Sequence, residues 1–172
     1  QNDDEIGKII DFALEYRCLR GVTFQPTQVA GRTDNFDPLK NKFTLTETRQ
    51  GILDQTDIFK ENDIIPVPCN PDALAMAYAL KLDGKVVPLT SMIDPDIFLN
   101  GTRNTILLEQ EENLQKELIK VFSTSQTGGT LAKNLQTLLC CLPMISAPNL
   151  SYENIFRVII LKFMDAHDFD VR

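Results

Sequence analysis

The chain contains one histidine, His167, and this count limits the acid–base chemistry that the sequence supports. A Ser-His-Asp or Cys-His arrangement would have to use His167 as its base. This residue follows a predicted helix and stands between Asp165 and Asp168, where a histidine typically interacts with the helix dipole and with solvent. A metal site built from several histidines is excluded by the count. We therefore expect no complete catalytic site within this sequence.

The four cysteines are also poorly spaced for a metal site of their own; they are Cys18, Cys69, Cys140 and Cys141. No Cys-x-x-Cys pair occurs, so a closed four-thiolate site is not expected. Cys140 and Cys141 stand within an apolar run and are interpreted as packing residues. The sequence also lacks the EF-hand loop and both glycine-rich loops that cradle phosphates.

Two segments are harder to explain by packing alone, and the first is a short strand with polar residues after it. The strand predicted over residues 18–24 ends at Gln25, and Arg32 follows in the next loop. Ligands of α/β proteins bind at the carboxyl ends of strands, which makes Gln25 and Arg32 candidate ligand-binding residues. A strand end followed by an ordinary turn is the competing interpretation.

The second segment is a proline-rich run around Cys69. Pro66, Pro68 and Pro71 exclude a helix here and predict a stiff, extended segment. A cysteine in such a segment has a fixed direction and little conformational entropy to lose, which suits a metal or cluster ligand whose partners come from elsewhere. A buried thiol is the competing interpretation.

Apolar periodicity predicts that the chain starts with a helix, which the strand just described then follows. Within residues 3–16 the apolar side chains recur at the i, i+3, i+4 spacing of an amphipathic helix. A further helix is predicted to begin at the capping box formed by Thr44 and Glu47 and to run to about residue 55. The alternation of helix and strand at the start is typical of α/β architecture.

The segment after the prolines predicts a β-hairpin near residues 74–90, because Asp83-Gly84 is a strong signal for a type I′ turn. Its first arm, residues 74–82, could instead be helical by propensity, since Ala, Leu and Met favour helices. Beyond the hairpin we predict a mainly helical extension, with helices near residues 104–122, 130–141 and 152–166. The expected fold class is therefore α+β.

Composition narrows the range of partners and compartments. The 172 residues carry a net charge of -7, which argues against a nucleic-acid partner because phosphate binding needs a surplus of Lys and Arg. No run approaches the roughly 20 apolar residues of a membrane span, so we expect a cytoplasmic protein. Because the chain begins at Gln1 rather than at methionine, we expect that residues precede it in the full polypeptide.

Several runs of sequence resemble the C-terminal half of one group of radical-SAM enzymes. They are Arg-Gly-Val-Thr-Phe-Gln-Pro at residues 20–26 with Gly-Arg at 31–32, Thr-Leu-Thr-Glu-Thr-Arg at 44–49, Ile-Ile-Pro-Val-Pro-Cys-Asn-Pro-Asp-Ala-Leu-Ala-Met-Ala-Tyr-Ala at 64–79, and Val-Pro-Leu at 87–89. The group belongs to the branch of the molybdenum-cofactor cyclase and includes the archaeal tetraether lipid synthase. The closing residues 163–172 look like the same group's lead-in to a further cysteine-containing segment.

The resemblance implies a domain division and a set of cofactors. Residues 1–32 would be the last helix and strand of a partial α/β barrel, and residues 33–172 would be an extension that covers its open side. The upstream part of the same polypeptide would hold a [4Fe–4S] cluster and S-adenosylmethionine and would act on an unactivated C–H bond. Gln25 and Arg32 would lie near the adenosylmethionine or the substrate, and Cys69 would be one ligand of an auxiliary cluster.

One departure from the group's pattern determines what the chain does alone. The Cys-x-x-x-Cys-x-x-Cys loop that binds the cluster in that group is absent here, so the isolated chain is expected to be catalytically silent. A non-catalytic helical module that binds a partner protein or a small ligand is the alternative from another functional class. In the isolated chain, Val22 and Phe24 would lack neighbouring strands, and formation of a homodimer would cover them.

Overall fold

A computed structural model describes residues 2–28, 36–67, 70–82, 85–91, 94–96, 99 and 154–163. These residues form a mixed α+β structure, as the sequence predicts. Its elements are α1 (Ile6–Glu15), β1 (Gly21–Phe24), α2 (Pro38–Asn41), α3 (Leu45–Gln55), β2 (Ile65–Pro66), β3 (Leu74–Leu82), β4 (Lys85–Pro88) and β5 (Ile155–Leu161), with short 3-10 turns at Asp3–Glu5, Glu61–Asp63 and Leu89–Ser91.

The two longer helices begin and pack where their sequence signals place them. In α1, Ile6, Ile10 and Ala13 are buried, which confirms the predicted amphipathic helix. The capping box at Thr44 is formed, and α3 runs to Gln55 as predicted. Both helices pack on the same face of a five-stranded sheet, where α1 contacts β1 and α3 contacts β5.

The sheet has the order β1-β5-β3-β2, and β4 also pairs with β3. β1 runs parallel to β5, whereas β3 is antiparallel to β2, β4 and β5. In this arrangement β3 and β5 are central, and β1 lies at one edge of the described sheet. The predicted hairpin is confirmed, since Leu82 is paired with Lys85 across the turn.

The two possible structures of residues 74–82 are resolved in favour of the strand. Leu74, Met76 and Tyr78 face one side of the sheet, Ala75, Ala77 and Ala79 face the other, and both sets are buried. A strand that is buried on both faces needs no alternation of polar and apolar residues, which is why its sequence resembles a helix.

The helix predicted near residues 152–166 is wrong, because Ile155–Leu161 forms strand β5. The apolar residues of this segment fit a helical stripe and a buried strand equally well. Its β-branched run at residues 158–160 favours the strand, and pairing with β1 on one side and β3 on the other satisfies its backbone groups. The helices predicted near 104–122 and 130–141 lie outside the described residues, as do Cys140, Cys141 and His167.

One apolar core fills the space between the sheet and the two helices. It contains Ile6, Ile10, Ala13, Ile52, Phe59, Ile64, Ala75, Ala77, Ala79, Phe156, Val158 and Ile160. Elements before and after residue 32, the predicted domain boundary, contribute to this core. The assignment of residues 1–32 to a partial barrel stays a prediction. Among the helices in the described ranges, none combines the length and apolar composition needed to cross a bilayer.

Candidate functional site

A pocket of about 250 Å³ lies at the carboxyl end of β1, where the sequence places Gln25. We call it the β1 pocket; it is lined by Asn2, Asp3, Ile6, Ile9, Val22, Thr23, Phe24, Gln25, Pro26, Thr27, Phe43 and Thr48. The strand supplies one wall, the start of α1 a second, and the start of α3 with Phe43 a third. The end of a strand with a parallel neighbour is the usual position of ligand sites in α/β sheets.

The connection after β1 fixes the polar side of the pocket. Pro26 is buried, whereas Gln25 and Thr27 on either side of it are exposed. The amide nitrogen of Gln28 donates hydrogen bonds to the backbone oxygens of Phe43, at 3.3 Å, and of Pro26, at 3.5 Å. The connection is therefore tied to the segment that precedes α3, and Gln25 extends from a backbone that is held on both sides.

The start of α3 is organised by Thr44 and Glu47. The Thr44 hydroxyl accepts a hydrogen bond from the Glu47 N–H at 3.1 Å, and the Glu47 carboxylate accepts one from the Thr44 N–H at 2.7 Å. One turn later the buried hydroxyl of Thr48 donates to the Thr44 backbone oxygen at 2.9 Å. Thr48 therefore lies at the pocket wall, but its hydroxyl donates to the backbone of its own helix and not into the pocket.

Hydrogen bonds from Thr44 hold the pKa of Glu47 below its ordinary value. The side chain of Thr44 and its backbone N–H both stabilise the charged Glu47 carboxylate. Because the pKa of Glu47 is lower in the folded chain than in the unfolded chain, its carboxylate stabilises the fold at pH values above the unfolded-state pKa. This stabilisation is lost as the pH falls through the folded-state pKa. The capping box is therefore expected to stabilise α3 fully at neutral pH and only partly in acid.

We expect Thr44→Ala to lower the free energy of unfolding by about 1 kcal/mol at neutral pH, because it removes the hydroxyl that caps α3. The difference from the unchanged chain should shrink as the pH falls through the lowered pKa of Glu47, because the protonated carboxyl loses its charge-assisted hydrogen bonds from Thr44. Urea unfolding at several pH values measures both effects. Thr46→Ala, two residues after Thr44 in the first turn of the same helix and exposed, is the matched control and should show no such pH dependence.

The other helical wall is held by Gln55 at the end of α3. Its side-chain oxygen accepts a hydrogen bond from the Gly7 N–H at 3.0 Å, and its nitrogen donates to the Asp3 backbone oxygen at 2.8 Å. One side chain therefore positions both the first turn of α1 and the 3-10 turn before it, which carries the exposed Asp3 carboxylate, beside the pocket. The pocket walls are fixed by hydrogen bonds among residues that are distant in sequence.

The chemistry available in the β1 pocket is hydrogen bonding beside apolar walls. Thr23 and Thr27 offer hydroxyl groups, Gln25 offers an amide that makes no hydrogen bond to the described residues, and Asp3 offers one carboxylate. The lining includes no histidine or cysteine, so the described walls hold no nucleophile with an adjacent base. At about 250 Å³ the pocket is below the ~300–1,000 Å³ typical of sites that enclose a whole small molecule.

The structure places one of the three residues predicted to bind ligands or metal. Gln25 lines the pocket, while Arg32 and Cys69 lie outside the described residues. Cys18 is an exposed free thiol, and within the described part of the chain no cluster of ligand-forming side chains could hold a metal ion. The described residues therefore do not fit an iron–sulfur cluster.

Sequence reasoning missed several residues that line the β1 pocket beside Gln25. Thr23 and Thr27 could have been found from the strand end, because alternate residues of an extended segment face the same side. Phe43 and Thr48 had no such signal, since only the packing of α3 beside α1 brings them to β1.

Comparison with known proteins gives one relationship of low identity. The chain matches no family model. It is 24% identical over 214 aligned residues to the 7,8-dihydro-6-hydroxymethylpterin dimethyltransferase of Methanocaldococcus jannaschii, an alignment that covers 99% of this chain and 41% of that protein. The chain thus spans less than half the length of this relative. The match supports a distant relationship to a radical-SAM enzyme at that coarse level.

Proposed function

We propose that the chain is the C-terminal part of a radical-SAM enzyme and that the β1 pocket forms one wall of its active site. The position of Gln25 carries this proposal. Its amide, which makes no hydrogen bond to the described residues, stands at the end of a parallel strand in a pocket too small to enclose a whole ligand. The match to 41% of a radical-SAM relative supports a parent polypeptide that completes the site.

The upstream part of that polypeptide would provide the cofactors. A [4Fe–4S] cluster with S-adenosylmethionine, held by that upstream part, would supply the electron for reductive cleavage of adenosylmethionine. The described residues of this chain do not fit the cluster, so their proposed role is to bind and orient the organic ligand. Gln25 would donate or accept a hydrogen bond at a polar group, and Ile9 and Phe43 would exclude water beside it.

Two further assignments belong to the same proposal. Arg32 would bind a carboxylate or phosphate of the ligand, since it follows Gln25 by seven residues in the same connection. Cys69 would be one ligand of an auxiliary cluster. Its described neighbours are tied together, because the N–H of Asn70 donates to the Val67 oxygen at 3.0 Å and that of Val67 to the Leu74 oxygen at 2.9 Å. The narrower placement in the group of the tetraether lipid synthase rests on the sequence resemblance alone.

Iron and sulfide analysis of the anaerobically purified full-length polypeptide tests the proposal. We expect more iron than one [4Fe–4S] cluster contains, and an ultraviolet-visible spectrum that changes when adenosylmethionine is added. Cys69→Ala should lose the iron of the auxiliary cluster, whereas Cys18→Ala, which removes an exposed thiol, should keep it. Retention of all iron by Cys69→Ala would remove Cys69 from the proposal.

The same preparation tests the role of the β1 pocket. Gln25→Ala should weaken ligand binding about tenfold, since one hydrogen bond contributes roughly 1–1.5 kcal/mol, while the iron content stays the same. Gln50→Ala, on the exposed side of α3, is the matched control and should bind normally. Equal binding by both variants would place the ligand elsewhere.

A non-catalytic binding module is the second candidate function. Three large apolar side chains favour it because they are exposed on or next to α1: Phe12, Tyr16 and Leu19. A colourless, iron-free full-length protein would make this the better account of the chain.

A further inference from the structure

A second pocket of about 250 Å³ lies at the amino end of β1, at the opposite end of the strand from Gln25. We call it the amino-end pocket; it is lined by Arg20, Gly21, Val22, Thr23, Arg157 and Ile159. Backbone pairing joins the two strands there, because the Arg157 N–H donates a hydrogen bond to the Arg20 oxygen at 3.0 Å. Two arginines from neighbouring segments therefore line one pocket, in a chain whose net charge is -7.

Arg157 lies in the middle of the sheet, with a charge that its surroundings must stabilise. Its neighbours in sequence, Phe156 and Val158, belong to the apolar core, so Arg157 faces the side of the sheet away from α1 and α3. It is paired with Gly21 of β1 on one side and with the buried Tyr78 of β3 on the other. Arg157 itself is half-buried. A charged side chain in such a position is costly unless opposite charges or hydrogen-bond acceptors lie beside it.

Gly21 leaves space beside Arg157. The two residues are opposite each other in the parallel pair, and a Cβ built at Gly21 would lie 2.5 Å from the Arg157 backbone oxygen and 3.1 Å from the Arg157 Cβ. A side chain at this position would therefore require β5 to move. Glycine within a strand often marks the close approach of a ligand or of another backbone. Here it allows β1 to approach β5 and leaves the sheet open next to Arg157, where the amino-end pocket lies.

The side chains that line the amino-end pocket have the chemistry of an anion site. A guanidinium group presents five N–H donors in a planar fork that matches the oxygens of a carboxylate or a phosphate. Arg20 and Arg157 also have other interactions, and five donors allow each of them to bind a further acceptor. The Nε atom of Arg20 is buried, where solvent screens its attraction to an anion less than at the surface. Thr23 contributes a hydroxyl donor.

We propose that the amino-end pocket binds the carboxylate or phosphate group of a small molecule through Arg20, Arg157 and Thr23. A volume of about 250 Å³ accommodates one such group, whereas sites that enclose a whole small molecule typically have ~300–1,000 Å³. Val22 and Thr23 line the β1 pocket as well, so the rest of the molecule would extend along the strand towards Gln25. That extension rests on the proposed function, whereas the anion site itself needs no iron–sulfur cluster.

Binding of inorganic phosphate to the full-length polypeptide tests the inference. Thermal unfolding is measured with increasing phosphate against chloride at the same ionic strength, because a ligand that binds only the folded state raises the unfolding midpoint. The unchanged polypeptide should show a rise that saturates. Arg157→Gln should weaken the fitted phosphate affinity about tenfold or more, since it removes charge-assisted hydrogen bonds to the anion. Acetate in place of phosphate then shows which of the two groups the pocket prefers, and saturable binding of either supports the proposal.

Arg17→Gln is the matched control, because Arg17 is exposed, precedes Arg20 by three residues and does not line the pocket. Its phosphate affinity should equal that of the unchanged polypeptide. Arg157→Lys and Thr23→Val keep the test decisive if Arg157→Gln does not fold. The first retains the charge without the planar fork and the second removes only the hydroxyl, so each should weaken binding several-fold. The same rise in every variant would show that phosphate acts as a general stabilising salt and would overturn the proposal.

The same data separate a small-molecule anion from an acidic side chain of the upstream part of the polypeptide. With such a side chain in the pocket, phosphate would cause no saturable rise, and Arg157→Gln would lower the midpoint in chloride alone; this result would overturn the proposal. Iron content measured on the same samples separates the inference from the proposed function. A protein with its cluster but without phosphate binding would contradict the anion site alone. A protein that binds phosphate but lacks iron would keep the anion site and contradict the radical-SAM assignment.

Discussion

Replacement of Phe156 by alanine is expected to lower the free energy of unfolding by about 3–5 kcal/mol, the usual range for deleting a buried aromatic side chain. Phe156 is 1% exposed and lies in β5, the strand that joins β1 to β3. Its side chain is surrounded by core residues from α1, α3 and β3, and its partner across the sheet is Ala79. Alanine on both strands would leave a cavity that the paired backbones cannot close.

Phe163 is the matched control for this substitution. It follows β5 by two residues and is 53% exposed, so Phe163→Ala should change the free energy of unfolding by less than about 0.5 kcal/mol. Urea unfolding of both variants, followed by far-ultraviolet circular dichroism, measures the difference. Similar losses for the two phenylalanines would contradict the position of β5 in the centre of the sheet.

Gly7→Ala is expected to destabilise the chain by about 1–3 kcal/mol, as is typical when atoms are forced into a closely packed contact. The new Cβ would lie 2.4 Å from the backbone oxygen of Gln55, and a backbone atom cannot move aside without shifting α3. The Gln55 side chain also holds Gly7 and Asp3, so the same shift would disturb the wall of the β1 pocket.

Gly51→Ala makes this prediction specific, because it places the same methyl group at the same helix interface. At Gly51 the new Cβ would lie 2.7 Å from Cδ1 of Ile6, the end of a flexible side chain that can rotate away. Alanine also favours the helix over glycine by about 0.5–1 kcal/mol, so Gly51→Ala should be neutral or stabilising. Thermal unfolding should give a lower midpoint for Gly7→Ala and an unchanged or higher midpoint for Gly51→Ala. A loss of stability in both would show that the helices approach more closely at Gly51.

The proposal that the upstream part holds the cofactors while this chain orients the ligand explains why the described residues form a pocket without a catalytic pair. The described walls contribute an amide, hydroxyls and one carboxylate, which can orient a polar ligand but do not form a pair in which a base takes the proton of a nucleophile.

The sequence alone determined the elements whose signals are contained within a few residues. The capping box of Thr44 and Glu47 begins α3 because both partners lie in one helical turn. The Asp83-Gly84 signal predicts the hairpin in which Leu82 pairs with Lys85, and the periodicity of residues 3–16 places the buried side of α1. Gln25 was proposed for a similar reason, since the residues that terminate a strand mark its end; it lines the β1 pocket, and its role in ligand binding stays a prediction.

Only the tertiary structure decided which apolar runs are strands and which distant residues share a site. Residues 155–161 are apolar at positions compatible with either element, and they form a strand because β1 and β3 offer hydrogen-bonding partners on both sides. Phe43 and Thr48 reach the β1 pocket through the contact of α3 with α1, which no local pattern encodes. Pairing between strands and packing between helices depend on residues far apart in the chain. Which segments become strands, and which residues meet at the pocket, is therefore decided only when the whole core forms.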